Sequence, residues 1–230
     1  MNVHSIILAR GGSKGIKNKN LFKINNKPLI FWSILASLSS KFINQTWVSS
    51  DSLKIINFSK KVGAQTLIRP SKFSNDTASS ESAWLNSLKQ IQKKNIKVDL
   101  IVGIQPTSPI KTGKDLDEAI KIFKKNKYES LFSSTEINDY CVWSKEDGKF
   151  KAHYDFKNRK RRQSIKVKYL ENGSFYIFKP DMFKKYKNRL FGRIGTYKQN
   201  KTKSFQIDNH EDIFLVNSIM KNKYIKKFNK

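Results

Sequence analysis

At 230 residues and 38% hydrophobic, the chain suits one α/β domain with enough apolar mass for a core. A single cysteine, Cys141, excludes an internal disulfide and fits a reducing, cytoplasmic compartment; no apolar run approaches the roughly 18–20 residues of a membrane span, and no charged region or cleavage signal marks a secretory leader. The net charge of +28 would suit a nucleic-acid or anionic-membrane partner, but only seven of the 46 cations are arginine and the lysines are spread along the whole chain, a pattern of compositional drift in an A/T-rich genome, so neither partner is expected and a small anionic substrate gains from the field.

Val3 to Ala9 reads as a first strand. It breaks into Arg10-Gly11-Gly12-Ser13-Lys14-Gly15, followed by Lys17 and Lys19-Asn20. Two adjacent glycines let the backbone turn and approach a ligand closely. Successive N–H groups in such a loop form an anion-binding concavity. Arg10 can fork onto phosphate oxygens, while Lys14 and Lys19 act as point charges. The loop reads as a polyphosphate cradle or as a surface loop with solvated lysines. Neither Walker nor dinucleotide glycine spacing is present.

Pro28 opens a helix at its first turn, running to about Ser40 with Leu29, Trp32, Ile34, Leu35 and Leu38 as buried candidates. Gln45 to Ser49 is a second strand, and Asp51 caps the helix after it, which ends near Gly63. Ala64 to Ile68 is a third strand. A loop from Arg69 to Ser80 leads to a helix capped by Ser79 or Ser80, with Trp84, Leu85, Leu88 and Ile91 on one stripe. The apolar run Asp99 to Ile104 suits a central parallel strand. Thr112 caps a helix holding Leu116, Ala119, Ile120 and Phe123 inward, and Ser130 to Ser134 is a further strand. Strands alternating with helices predict a mostly parallel sheet with helices on both faces.

After Thr135 the pattern changes. Tyr140 to Ile165 carries the turn signal Asp147-Gly148 and the basic run Arg159 to Arg162, with no helical period; it reads as an inserted β-rich arm. Ser174 to Phe178 is again a strand, Pro180 opens a short helix, and Phe205 to Asp208 is a last short strand. Asp208 or Asn209 caps a final helix with Ile213, Leu215, Val216, Ile219 and Met220 inside, and a frayed Lys/Asn tail follows Lys221.

Ligands of an open parallel sheet bind outside the carboxyl ends of its strands. The Arg10–Asn20 loop, Arg69, Asp76 to Ser80, Gln105 to Ser108 and Asp208 belong there. They supply cations for phosphate, amides and hydroxyls for a base and a sugar, and one carboxylate for a metal. Asp208 reads more readily as a helix cap than as a metal ligand, and the Gln105 loop, stiffened by Pro106 and Pro109, equally as a structural turn. His4, His153 and His210 lack ligand spacing.

Taken in order, Leu8-Ala9-Arg10-Gly11-Gly12-Ser13-Lys14-Gly15, Lys19-Asn20, Val48-Ser49-Ser50-Asp51, Arg69-Pro70 and Ser74 to Ser80 carry a resemblance. Gln105-Pro106-Thr107-Ser108-Pro109, Arg161-Arg162-Gln163, Asn172 to Ile177 and Ile207-Asp208 extend it over nearly the whole chain. The chain resembles the acylneuraminate cytidylyltransferases. The resemblance implies a nucleotide-diphospho-sugar transferase-like domain over residues 1–230, with a dimerisation arm at about 137–171. It implies transfer of CMP from CTP to a nonulosonic acid, with Mg²⁺ and release of pyrophosphate, in a homodimer. Leu8, Ala9, Arg10, Gly11, Ser13, Lys14, Lys19, Asn20, Arg69 and Ser80 would surround CTP. Gln105, Thr107, Ser108, Arg162, Asn172 and Tyr176 would surround the sugar. Arg10, Lys19 and Asp208 would carry catalysis, with Asp208 on the metal.

Two departures stand out. Where related enzymes often show two aspartates one residue apart, this chain has Gln206-Ile207-Asp208, and Leu170 stands where many carry an arginine. Legionaminic acid is then as good a candidate as N-acetylneuraminic acid, while Asn172-Gly173 disfavours pseudaminic acid. A 3-deoxy-manno-octulosonate enzyme, or a basic nucleic-acid binder on the same fold, are the alternatives.

Overall fold

The computed structural model describes residues 1–13, 15–137 and 141–222, without the side chain of Arg162. In chain order the strands and helices are β1 (Val3–Leu8), β2 (Lys23–Ile24), β3 (Lys27–Pro28), α1 (Leu29–Leu38), β4 (Gln45–Ser50) and α2 (Leu53–Val62). Then come β5 (Gln65–Ile68), α3 (Ser80–Gln92), β6 (Leu100–Ile104), α4 (Gly113–Lys125), β7 (Ser130–Ile137), β8 (Trp143–Glu146) and β9 (Lys149–Ala152). The chain closes with β10 (Lys168–Phe178), α5 (Pro180–Tyr186), β11 (Ile194–Lys198) and α6 (His210–Lys221).

Seven strands form one sheet in the order β11-β7-β10-β6-β1-β4-β5. All neighbours are parallel except β10, which runs antiparallel to both β6 and β7. Alternate strand side chains feed two layers. Ile7, Val48, Val102 and Ile177 pack under α1, α2 and α4, while Ile6, Trp47, Ile101 and Phe178 pack under α3 and α5. Leu100 to Ile104 is buried throughout, as a strand covered on both faces must be. Trp84 of α3 is fully buried, its indole N–H donating to the Ile6 carbonyl at 3.2 Å. A fully buried apolar side chain of this kind contributes about 1.5–3 kcal/mol.

Several sequence expectations change here. In α1, Leu35 and Leu38 are 43% and 45% exposed, while Ser33 and Ser37 face inward. The helix is apolar nearly all round, so its period names no face. The sheet selects Ser37, whose hydroxyl bonds Ser5 and Thr46, both at 2.6 Å. Trp32 is partly buried, and Pro28 sits at the cap of α1 after pairing in the β2–β3 hairpin. Leu215 of α6 is also exposed. Phe205 to Asp208 forms no strand, because Ile207 N–H bonds the Thr107 carbonyl of a loop and finds no strand beside it. Strand β11 is added at the sheet edge, where its half-exposed sequence carries little strand signal. The Asp147-Gly148 turn joins β8 and β9 as read, with both residues at positive φ. Tyr140 and the tail at 223–230 lie outside the described residues.

Thr112 caps α4 in a full capping box with Asp115. The Asp115 carboxylate also receives Lys203 Nζ at 2.8 and 2.9 Å, and both side chains are buried. Asp115→Ala removes the reciprocal half of the capping box and leaves an uncompensated buried ammonium, which costs about 3–5 kcal/mol. Urea denaturation should show a loss of that size; a loss under about 1 kcal/mol would mean that the pair contributes little.

Candidate functional site

The site forms where β1, β4 and β6 end together. After β1, Ala9 is buried and its N–H bonds the Ser49 carbonyl of β4 at 3.0 Å. The chain then turns outward through Gly11, whose N–H donates to Asp51 Oδ1 at 2.8 Å. A Cβ on Gly11 would lie 2.9 Å from Ser52 Cβ, so the glycine is required by a close approach between loops. Asp51 therefore does not cap α2, where the cap residue is Ser52; it ties the first loop to the second. Gly15 passes just as closely over the Asp208 carbonyl, which a Cβ would meet at 2.5 Å.

Lys19 follows in a short 3₁₀ turn. Its Nζ donates to the Ile207 carbonyl and to Asp208 Oδ1, both at 3.0 Å. Asn20 is buried, its Nδ2 holding the Arg10 carbonyl at 2.9 Å. Arg10 reaches across to Asp76 Oδ1 at 2.8 Å. Arg69, just past β5, is buried, and its Nε finds no protein partner. Burial pushes its guanidinium pKa down, Asp51 pulls it up, and Arg10 pushes it down again. Ser79 caps α3 by accepting from Ser82 N–H at 3.1 Å. Asn209, in a capping box with Asp212, caps α6 and leaves the Asp208 side chain outside that role.

These groups border one open cleft of about 570 Å³. Of the residues the sequence selects, Leu8, Arg10, Ser13, Lys19, Asn20, Arg69, Ser80, Gln105, Thr107 and Asp208 line it. Ala9 and Gly11 stand behind the lining. Ser108 and Asn172 are buried beneath it. The Asn172 amide is held by Ser133 Oγ at 2.6 Å and Gln199 Oε1 at 3.0 Å, and its carbonyl accepts from Gln206 Nε2 at 3.0 Å. Ser108 and Asn172 are placed to shape the floor. Tyr176 is buried against Trp84, its hydroxyl donating to Glu171 and its ring lying 4.6 Å from the Arg189 guanidinium. Burial and Glu171 push its pKa up. Lys14 and the Arg162 side chain lie outside the described residues.

Phe73, Ala83 and Gln206 also line the cleft, and of these the sequence marks only Gln206, by its spacing to Asp208. Phe73 and Ala83 carry no local signal, being an apolar loop residue and a helix residue that face inward only because α3 docks beside Arg69. The cleft thus offers two partly buried cations and one buried cation, which suit a chain of phosphates. It also offers the amides of Gln105 and Gln206 and the Thr107 hydroxyl, which suit a polyhydroxylated acid.

Residues 4–229 match the family model for cytidylyltransferases. An N-acylneuraminate cytidylyltransferase A from Danio rerio is 33% identical over 92% of this chain and 49% of its own length. A pseudaminic acid cytidylyltransferase from Campylobacter jejuni is 31% identical over 75% of this chain and 76% of its own. The chain spans about half the length of the fish relative. Among solved structures, a CMP:2-keto-3-deoxy-manno-octonic acid synthetase complexed with CTP shares the fold at a TM-score of 0.72 and 14% identity, covering 96% of this chain and 98% of that one.

Inorganic triphosphate should bind these cations and raise the Tm. Arg69→Ala should weaken its affinity about tenfold or more, the loss expected of a hydrogen bond to a charged group. Calorimetric titration checks this, and unchanged affinity would remove Arg69 from the anion site.

Proposed function

We propose that this chain, which belongs to the cytidylyltransferase family, transfers CMP from CTP to a nonulosonic acid, releasing pyrophosphate in a cytoplasmic, nucleotide-sugar pathway. The observation that carries the reading is the convergence of Arg10, Lys19 and Arg69 with Gln105, Thr107 and Asp208 on one cleft at the strand ends. The sugar's anomeric hydroxyl attacks the α-phosphorus and the bond to pyrophosphate breaks. Such a transfer needs positioning and charge neutralisation more than covalent help from the protein. Arg10, Lys19 and Arg69 neutralise the triphosphate, and Lys19, nearest Asp208, meets the charge that develops as the leaving group departs. Gln105 and Thr107 orient the acid.

The donor set fits Mg²⁺ arriving as its CTP complex. Asp208 supplies one carboxylate, and the nitrogen of Gln206 is engaged by Asn172, which leaves its amide oxygen as the hard donor. One or two protein oxygens beside phosphates and water satisfy this ion. When bound, it would polarise a phosphoryl oxygen. Asp208 and Gln206 would hold it.

The relatives named above act on acylneuraminate and on pseudaminic acid, so the expectation that disfavoured pseudaminic acid finds no support in them. Pyrophosphate release should be measured with CTP, Mg²⁺ and N-acetylneuraminic, legionaminic, pseudaminic or 3-deoxy-manno-octulosonic acid. Release that requires one of the first three supports the reading; release with the last alone, or with none, overturns it.

Asp208→Asn should cut turnover about 10²-fold while leaving the Tm near the wild-type value, since Asn209 and not Asp208 caps α6. Gln206→Asp should lower the Mg²⁺ concentration for half-maximal rate. Full activity of Asp208→Asn at low Mg²⁺ would remove the carboxylate from the metal's environment.

The β8–β9 hairpin and its flanks expose Trp143, Phe150, Phe156, Tyr169 and Leu170. A second copy of this chain is the fitting cover for that arm, in a two-fold homodimer. Sedimentation should give a dimer, and Phe150→Glu with Phe156→Glu should shift it towards monomer; a wild-type monomer would refute the arm's role.

A further inference from the structure

Lys111 lies behind the sugar-side loop and outside the cleft lining, only 5% exposed. Its Nζ donates to Ser33 Oγ of α1 at 3.1 Å, to the Gln105 carbonyl at 3.0 Å and to the Ser108 carbonyl. An ammonium has three protons, and these three acceptors use them all. Two of the acceptors belong to the Gln105-Pro106-Thr107-Ser108-Pro109 loop, one at its start and one near its end. The third anchors the group to a helix in the core. A single charge therefore pins both ends of the loop whose middle presents Thr107 to the cleft.

Burial pushes the Lys111 pKa down to about 7, and Asp115 on α4 pulls it up. The ammonium is held by protein oxygens with almost no water. Thr112, the next residue, caps α4 through Asp115, so the stretch behind the loop is fixed on both sides.

We infer that Lys111 is a positioning residue for the sugar acid, acting through the backbone of the Gln105–Pro109 loop. It touches neither substrate. Its ammonium sets where Gln105 and Thr107 point, and small misplacements of such groups lower productive binding steeply. The triphosphate site is built from the Arg10–Asn20 loop and Arg69, and among the described residues Lys111 makes no hydrogen bond to either. The two substrates should therefore respond differently to its loss. This inference rests on the proposed function for its substrate.

The test compares Lys111→Met, which keeps the length and removes the donors, with Lys111→Arg, which keeps charge and donors. With Lys111→Met, KM for the sugar acid should rise about tenfold or more and KM for CTP should stay within about twofold. Lys111→Arg should restore most of the difference. Hydrogen exchange of the amides at 105–109 should quicken about tenfold or more in Lys111→Met, while exchange in the 10–20 loop stays near wild type. Where Lys111→Met does not fold, Ser33→Ala removes one acceptor, and it should quicken exchange in the same loop. Both KM values unchanged, or both raised alike, overturn the inference, as does unchanged exchange at 105–109. A wild-type chain inert with every acid refutes the proposed function instead, and the exchange measurement then decides the role of Lys111 alone.

Discussion

Parallel pairing of β1 with β4 on one side and β6 on the other brings three chain exits to one edge. Ile7 lies opposite Val48 and Ile104, so Arg10, Asp51 and Gln105 leave the sheet within a few residues of a common line. Everything at the cleft depends on that alignment. The Gly11 amide reaches Asp51 because both loops start level, and Arg69 joins them because β5 pairs with β4 in the same direction. Register carries this constraint: a one-residue slip would turn each strand's side chains to the other layer and empty the core. The stability of two apolar layers therefore enforces the geometry of a polar site.

The cations of the cleft are held in two ways. Arg10 with Asp76 and Lys19 with Asp208 are ion pairs with an exposed acid, a kind worth about 0–1 kcal/mol. A polyanion can exchange with such an acid at little cost, which keeps each cation extended and aimed before the ligand arrives. Arg69 is different. It is buried beside the cleft with an orphan Nε, and it carries a desolvation cost that an arriving anion would offset. Preorganised charge in a partly dry wall acts more strongly than the same charge in water.

Behind the Gln105 loop runs a buried polar system. Lys203, Asp115, Thr112 and Lys111 connect the segment after β11, the start of α4 and the Gln105 loop. Asn172 and Gln206 extend it beneath the floor. Gln206 has a structural role here, because its amide nitrogen supports the Asn172 carbonyl. The glycine-rich loop is tied by a few separate contacts, whereas the Gln105 loop is backed by a connected buried polar network in which the loss of one member is felt by the others.

Much of this was legible in residue order. The apolar run at Leu100 to Ile104, the Thr112 cap, the Asp147-Gly148 turn and the glycine-rich cationic loop all act within about four residues, the reach of periodicity and capping. By itself the sequence determined the alternating elements, the mostly parallel sheet and the set of groups a phosphate and a sugar acid would need. Only the tertiary structure decided which face of α1 is buried, since an all-apolar helix has no preferred side until Ser37 meets Ser5 and Thr46. Packing likewise inserted β10 antiparallel between β6 and β7, turned Asp51 from a helix cap into a tie on Gly11, and buried Lys111 behind its loop. Lys19 meets Asp208 across 189 residues. Contacts of that span are set by how the sheet and helices close on one another, and no local pattern of side chains encodes them.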